Sequence, residues 1–132
     1  HRGATRADYQ LNMEARKGAY QGPDGKLVAI RNRETCHDFS DTDLTDRIHW
    51  ALRHNRVSFG PKGGGEDIHL IIGKDPVPPA STSIVTWAES ESAPYYCVEP
   101  WMGPPNAAEH GKGLHWVHPG ERGVFAVELS LY

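Results

Sequence analysis

The sequence has little cysteine, no long apolar run and no excess of positive charge, and each shortage argues against a class of protein. Two cysteines, Cys36 and Cys97, do not make a disulfide framework, and the lack of a Cys-x-x-Cys pair argues against a zinc ribbon. No apolar run approaches the roughly 20 residues of a membrane helix. Lys and Arg number 14 against 17 Asp and Glu, so the basic face of a general nucleic-acid binder is not expected.

The chain also lacks a signal peptide and a transit peptide, which predicts a cytoplasmic protein. Its first residue is His1 rather than Met, so we expect a processed product or the visible part of something longer. The length of 132 residues fits one domain. Hydrophobic residues make up 38% and charged residues 23%, which is typical of a globular chain.

Glycine and proline are plentiful, with 14 and 10 residues, and they separate short segments with the pattern of strands. Residues 40–52 form the one plausible helix, because Leu44, Ile48 and Leu52 share a helical stripe; the later part of this segment could equally be strand. Short strands between turns predict an antiparallel β-sandwich or barrel-like sheet. The predicted strands are residues 8–15, 27–30, 56–59, 68–72, 83–88, 94–99, 113–117 and 123–131.

Glu99 is the strongest candidate for chemistry. The apolar, aromatic residues 94–98 run into this carboxylate, and we expect the strand to break at Pro100, which holds Glu99 extended. Flanking by Trp101 would shield the carboxylate from water and favour a role as general base. The alternative is a surface acid in an ordinary salt bridge.

The chain has four tryptophans and five tyrosines, and aromatic faces pack against the C–H faces of sugars. Trp87 and Trp101 lie at or near predicted strand ends and are the candidates for a ligand surface, whereas core packing accounts for Trp50. Among the eight histidines, His115 and His118 point to opposite faces of a predicted strand. We therefore predict no metal site.

The region from Cys97 to Glu121 resembles the C-terminal part of the galactose mutarotase-like (aldose 1-epimerase) superfamily. Upstream, residues 84–87 are similar to the strand that precedes this motif, and residues 39–46 are similar, more loosely, to an Asp-bearing segment. The matching residues are Val98-Glu99-Pro100-Trp101, Pro104-Pro105-Asn106-Ala107, Gly111-Lys112-Gly113-Leu114 and Pro119-Gly120-Glu121.

The resemblance implies a large antiparallel β-sandwich, the mutarotase-like supersandwich, of which residues 1–132 would be a single domain forming the C-terminal part. It implies an aldose mutarotase that opens and closes the sugar ring without a cofactor. Glu99 matches the glutamate that deprotonates the anomeric hydroxyl, and a histidine, with His1 as the candidate, would protonate the ring oxygen. The implied substrate-binding residues are Trp87, Trp101, Asp41, Asp43 and Asn106.

The expected partner is a small-molecule sugar, with no nucleic acid and no membrane. Members of the superfamily are substantially longer, so a second copy of the chain or a missing N-terminal segment could complete the sheet. Two alternatives remain open. One is a non-catalytic carbohydrate-binding β-sandwich domain with Trp87 and Trp101 as its platform, and the other is an interaction domain whose aromatics meet protein.

Overall fold

Two five-stranded antiparallel sheets account for most of the chain in the computed structural model, which describes residues 3–31 and 35–132. Sheet A contains the strands β1 (Tyr9–Asn12), β4 (Cys36–Asp38), β6 (Arg56–Pro61), β7 (Ile68–Ile72) and β10 (Val127–Leu131) in the order β10-β7-β6-β1-β4. Sheet B contains the strands β2 (Ala15–Gln21), β3 (Leu27–Ile30), β5 (Asp46–Leu52), β8 (Ser83–Trp87) and β9 (Cys97–Trp101) in the order β3-β2-β5-β8-β9. The predicted β-sandwich is therefore confirmed.

The described helical elements are short. They are the 3₁₀ turns Arg6–Asp8 and Thr42–Thr45 and one α-helix, α1 (Ala107–His110). None of the helices within residues 3–31 and 35–132 has the length and hydropathy of a membrane-crossing segment.

Apolar side chains from both sheets form the core between them. Each such side chain contributes roughly 1.5–3 kcal/mol when it leaves water. Because successive side chains on a strand point to opposite faces, the core residues also fix which side chains of each strand point outward. The buried cluster consists of Leu11, Met13, Phe39, Leu44, Leu52, Val57, Leu70, Ile72 and Ile84.

The predicted helix over residues 40–52 is wrong. Only Thr42–Thr45 coil, and β5 follows at once, paired with β2 on one side and with β8 on the other. Leu44 and Leu52 do reach the core, but Ile48 lies on the opposite face of sheet B. Pairing with two neighbouring strands outweighs a local helical spacing, because strand preference depends on tertiary contacts.

Three further strand predictions need correction. The strand predicted over residues 8–15 is divided, with β1 in sheet A and β2 in sheet B. β9 continues through Pro100 to Trp101, because an edge strand tolerates a residue without an N–H. Residues 113–117 are not a strand, since no described strand pairs with them.

Candidate functional site

The outer surface of sheet B brings most of the predicted site residues together. Ile84 lies in the core and Val98 packs against it, so their neighbours Val85 and Glu99 point outward. The strand register then defines three rows of outward side chains. We call this surface the aromatic face. The first row consists of Asp46, Trp87 and Cys97, and the middle row consists of Ala19, Ile48, Val85 and Glu99. The third row consists of Lys17, Trp50, Ser83 and Trp101.

The middle row forms a buried floor. Ala19, Ile48 and Val85 expose only 2%, 1% and 6% of their surface although they lie outside the core, whereas Trp87 and Trp101 expose 39% and 40%. Large side chains therefore stand on both sides of a row of smaller ones. The middle row is therefore closed to solvent, and Trp87 and Trp101 form exposed surface on either side of it.

The connection after β9 crosses the aromatic face. Ser83 Oγ donates a hydrogen bond to the Gly103 carbonyl at 3.2 Å, which places Gly103 over the outer side of β8. Asn106 Nδ2 donates to the Gly25 carbonyl at 3.5 Å, in the turn between β2 and β3. The connection thus runs from one edge of sheet B to the hairpin at its other edge.

Glu99 stands at the end of the buried floor, on the edge strand β9. Its Oε2 accepts a hydrogen bond from Trp101 Nε1 at 3.0 Å. The two residues lie on the same face because they are two positions apart on one strand. Trp101 therefore orients the carboxylate.

Asp46 is a second carboxylate on the aromatic face, and it is not among the site residues predicted from the sequence. It lies directly opposite Trp87 at the start of β5. Packing around its carboxyl raises the pKa of Asp46 above the ordinary value. A strand spacing of about 4.8 Å and a rise of about 3.3 Å per residue put its Cα roughly 12 Å from that of Glu99. Asp46 and Trp50 lie four positions apart, so a strand over this segment would place both side chains on one face. The helix predicted over residues 40–52 concealed this relation.

Trp50 was predicted to pack in the core, and this is wrong. It is half-buried on the aromatic face, with Lys17 Nζ 5.5 Å from the centroid of its ring. The next residue, Ala51, has φ 51°, in the left-handed region. This conformation interrupts the alternation of β5, so that Trp50 faces outward while Leu52 reaches the core.

The structure places Asp41 and Asp43 in the connection before β5, outside the three rows. Asp41 caps the 3₁₀ turn by accepting a hydrogen bond from the Asp43 backbone N–H at 3.0 Å. The Asp43 carboxylate pairs with Arg47 Nη2 at 2.9 Å. Both carboxylates thus have structural partners. Asn106 lies in the crossing connection, and His1 lies outside the described residues.

None of the described histidines belongs to the three rows of the aromatic face. His49 points into the sandwich, where its Nε2 lies 3.4 Å from Thr86 Oγ1 and burial lowers the pKa of the ring to about 2. His115 Nε2 lies 3.0 Å from the Met102 carbonyl, which can only accept. Within residues 3–31 and 35–132, no three potential metal-ligating side chains converge.

A separate cavity of about 750 Å³ opens between the two sheets. Its wall includes Phe39, Phe59 and Tyr96, and the guanidinium of Arg6 stacks 4.5 Å from the ring centroid of Tyr96. Arg6 is already committed to backbone carbonyls, and burial raises the pKa of Tyr96 to about 12. We therefore interpret this cavity as an open end of the core. None of the predicted site residues lines it.

Comparisons with known proteins bear on the fold alone. No protein-family model matches the chain, and no curated protein matches it. The structure is similar to the crystal structure of the Slr1438 protein from Synechocystis sp. PCC 6803, with a TM-score of 0.67 over 97% of this chain at 20% sequence identity. The chain spans 40% of the length of that protein.

Proposed function

We propose that the aromatic face binds a sugar and that the protein interconverts the anomers of an aldose. The observation that carries this proposal is the position of Glu99, held by Trp101 at the end of a buried apolar floor that Trp87 also flanks. Indole rings pack against the C–H face of a pyranose, while carboxylates accept hydrogen bonds from its hydroxyls. The resemblance of residues 97–121 to the mutarotase-like superfamily supports the same function.

In the proposed reaction, a Glu99 carboxylate oxygen takes the proton of the anomeric hydroxyl. The oxygen's electron pair forms the aldehyde, the bond from the anomeric carbon to the ring oxygen breaks, and the ring oxygen receives a proton. Rotation about the bond between C1 and C2, followed by closure, gives the other anomer. These steps balance without a cofactor.

The acid that protonates the ring oxygen is the second part of the proposal. His1 is the residue expected from the resemblance. Asp46 is the other carboxyl group on the aromatic face, and burial raises its pKa above the ordinary value. A pair of groups whose environments differ can supply both the base and the acid.

A non-catalytic carbohydrate-binding domain is the second candidate. It is favoured by one observation: within the described ranges, none of the three rows of the aromatic face includes a histidine. The tryptophans and the carboxylates would then serve binding alone.

Polarimetry of freshly dissolved α-glucose and α-galactose tests the proposal. We expect acceleration by the wild type and a loss of at least about 100-fold in Glu99→Gln, because the amide cannot accept the proton. Glu121→Gln, on the exposed segment before β10, is the matched control and should keep full activity. Full activity in Glu99→Gln would overturn the assignment of the base. Saturable quenching of tryptophan fluorescence by a sugar, without turnover, would establish the second candidate instead.

A further inference from the structure

The described part of the sandwich has four edge strands, and they differ in how well they are protected from pairing with another chain. β4 has three residues and β3 has four, while β9 contains Pro100. β10 has five residues with neither proline nor lysine, the residues that commonly block an edge. Among the described strands, β10 is therefore the longest edge without these protective features.

The unpaired backbone groups of β10 can be assigned from its pairing with β7. Tyr132 exchanges both backbone hydrogen bonds with Asp67, at 2.9 and 2.6 Å, and the Ala126 carbonyl accepts from Gly73 N at 2.9 Å. Hydrogen-bonding groups alternate along an antiparallel strand, so the even-numbered residues of β10 face β7. The N–H and C=O groups of Val127, Leu129 and Leu131 consequently face outward from the edge.

These same three residues form an exposed aliphatic row, which we call the β10 strip. Leu129 lies directly opposite Leu70, yet Leu129 is 67% exposed and Leu70 is 3% exposed. Leu131 is 63% exposed and Val127 is 37% exposed. Sheet B therefore packs over the side chains of β7 but does not extend over those of β10. Such an edge needs a partner that forms hydrogen bonds with the open backbone groups and also covers the aliphatic side chains.

A second copy of the same strand provides the hydrogen bonds and the aliphatic cover in a single register. With Leu129 opposite Leu129, Val127 falls opposite Leu131 on both sides of a two-fold axis, and all three outward residues join hydrogen-bonded pairs. Glu128 then falls opposite Ser130. Moving the axis to Glu128 would place two carboxylates directly opposite each other, which is unfavourable, and would leave fewer hydrogen-bonded pairs. Charge and hydrogen bonding thus select the same register.

We propose that the protein forms a two-fold symmetric dimer in which β10 pairs with β10 of a second copy, centred on Leu129. Sheet A then continues across the axis into the sheet A of the partner. The contact is isologous, so it closes at two chains and does not propagate into a fibre. This inference does not depend on the proposed sugar chemistry.

Size-exclusion chromatography with light scattering tests the dimer, over about 1 to about 100 μM protein because association follows mass action. The wild type should approach twice the 14.6 kDa of one chain. Leu129→Lys should weaken association at least tenfold, since it opposes two ammonium groups at the axis. Val28→Lys, on the edge strand β3, is the matched control and should remain dimeric.

Circular dichroism tests whether the Leu129→Lys variant folds. If that variant does not fold, Leu131→Lys is used in its place. A wild type that stays at 14.6 kDa at every concentration overturns the proposal; a strand from elsewhere in a longer chain would then be the better occupant of the edge. A dimer that Leu129→Lys leaves intact also overturns it.

Disulfide formation tests the register. In a background with Cys36→Ser and Cys97→Ser, Leu129→Cys should oxidise to a covalent dimer, because paired Cα atoms lie about 5.5 Å apart, within disulfide reach. Leu131→Cys should not, since its own copy lies four residues along the strand, roughly 13 Å away. Cross-linking at Leu131→Cys but not at Leu129→Cys would exclude this register.

Discussion

The aromatic face and the β10 strip both expose apolar side chains, yet they differ in what surrounds those side chains. On the aromatic face, Trp87 belongs to an inner strand with neighbours on both sides, and carboxylates stand among the aromatic rings. On the β10 strip, Leu129 belongs to an edge strand whose backbone groups are open, and the row contains no charged side chain.

The two surfaces therefore fit different kinds of partner. A surface of aromatic rings and carboxylates matches a small molecule that has apolar faces and hydroxyls, and a sugar is such a molecule. An aliphatic row with free N–H and C=O groups matches another strand, which satisfies the backbone and covers the side chains together. Exposed apolar area by itself would not separate these two functions.

The largest expected difference between the two regions is their response to low pH, because a buried histidine lies beneath the aromatic face. His49, on the inner side of β5 beneath the aromatic face, has a pKa lowered to about 2 by burial and by its neighbours His37 and Arg47. Below its ordinary pKa of 6.5, the unfolded chain takes up a proton that the folded protein refuses. The stability is therefore full above pH 6.5 and falls by about 2 kcal/mol between pH 6.5 and pH 5.

Urea unfolding at pH 7 and pH 5 measures this loss, and His49→Gln should reduce the difference while His54→Gln, at an exposed position, should not. Asp38 acts in a lower window: Lys62 and Ser40 lower the pKa of its carboxyl to about 2, so its contribution is lost only below pH 3.8. The β10 strip contains no histidine, so the dimer should persist at pH 5.5 as long as the chain stays folded. Equal unfolding free energies at pH 7 and pH 5 would contradict the role of His49.

Trp101→Phe should have a smaller effect, confined to the aromatic face. It keeps an aromatic ring but removes the N–H that donates to Glu99 at an exposed position, where the bond contributes less than the roughly 1.5–3 kcal/mol of a hydrogen bond to a charged group. We expect a loss of several-fold in mutarotation, measured by polarimetry, with no change in dimer mass. Trp87→Phe is the control, because its indole N–H has no acceptor among the described side chains. Equal losses in the two variants would show that ring size matters and that the hydrogen bond does not.

The sequence predicted the sandwich well because the turns and the β-rich runs are local features. Ile68–Ile72 and Ser83–Trp87 are rich in β-branched residues and form strands as expected. The segment before Leu52 was misjudged, because Leu44, Ile48 and Leu52 fit a helical stripe although they occupy a turn and two different faces of sheet B. Local spacing cannot show which distant strands compete for a segment.

The same limit applies to the candidate site. Glu99, Trp87 and Trp101 were predicted individually, but their common face follows from the register between β8 and β9, which joins residues 10 to 18 positions apart. Asp46 and Trp50 were missed because their outward orientation depends on β5 being a strand. A site built across four strands is visible only once those strands are aligned.

Ala51→Gly is the smallest expected change and tests why Trp50 and Leu52 face opposite sides. The left-handed conformation at Ala51, φ 51°, costs a residue with a Cβ about 1–2 kcal/mol, and glycine avoids that cost but loses more entropy on folding. We expect a net stabilisation of about 0.5 kcal/mol, read from the urea midpoint. Ala29→Gly, on β3 at an ordinary backbone conformation, is the matched control and should destabilise. If Ala51→Gly destabilises as much as Ala29→Gly, the left-handed conformation does not strain Ala51, and the interruption of β5 carries no cost that glycine relieves.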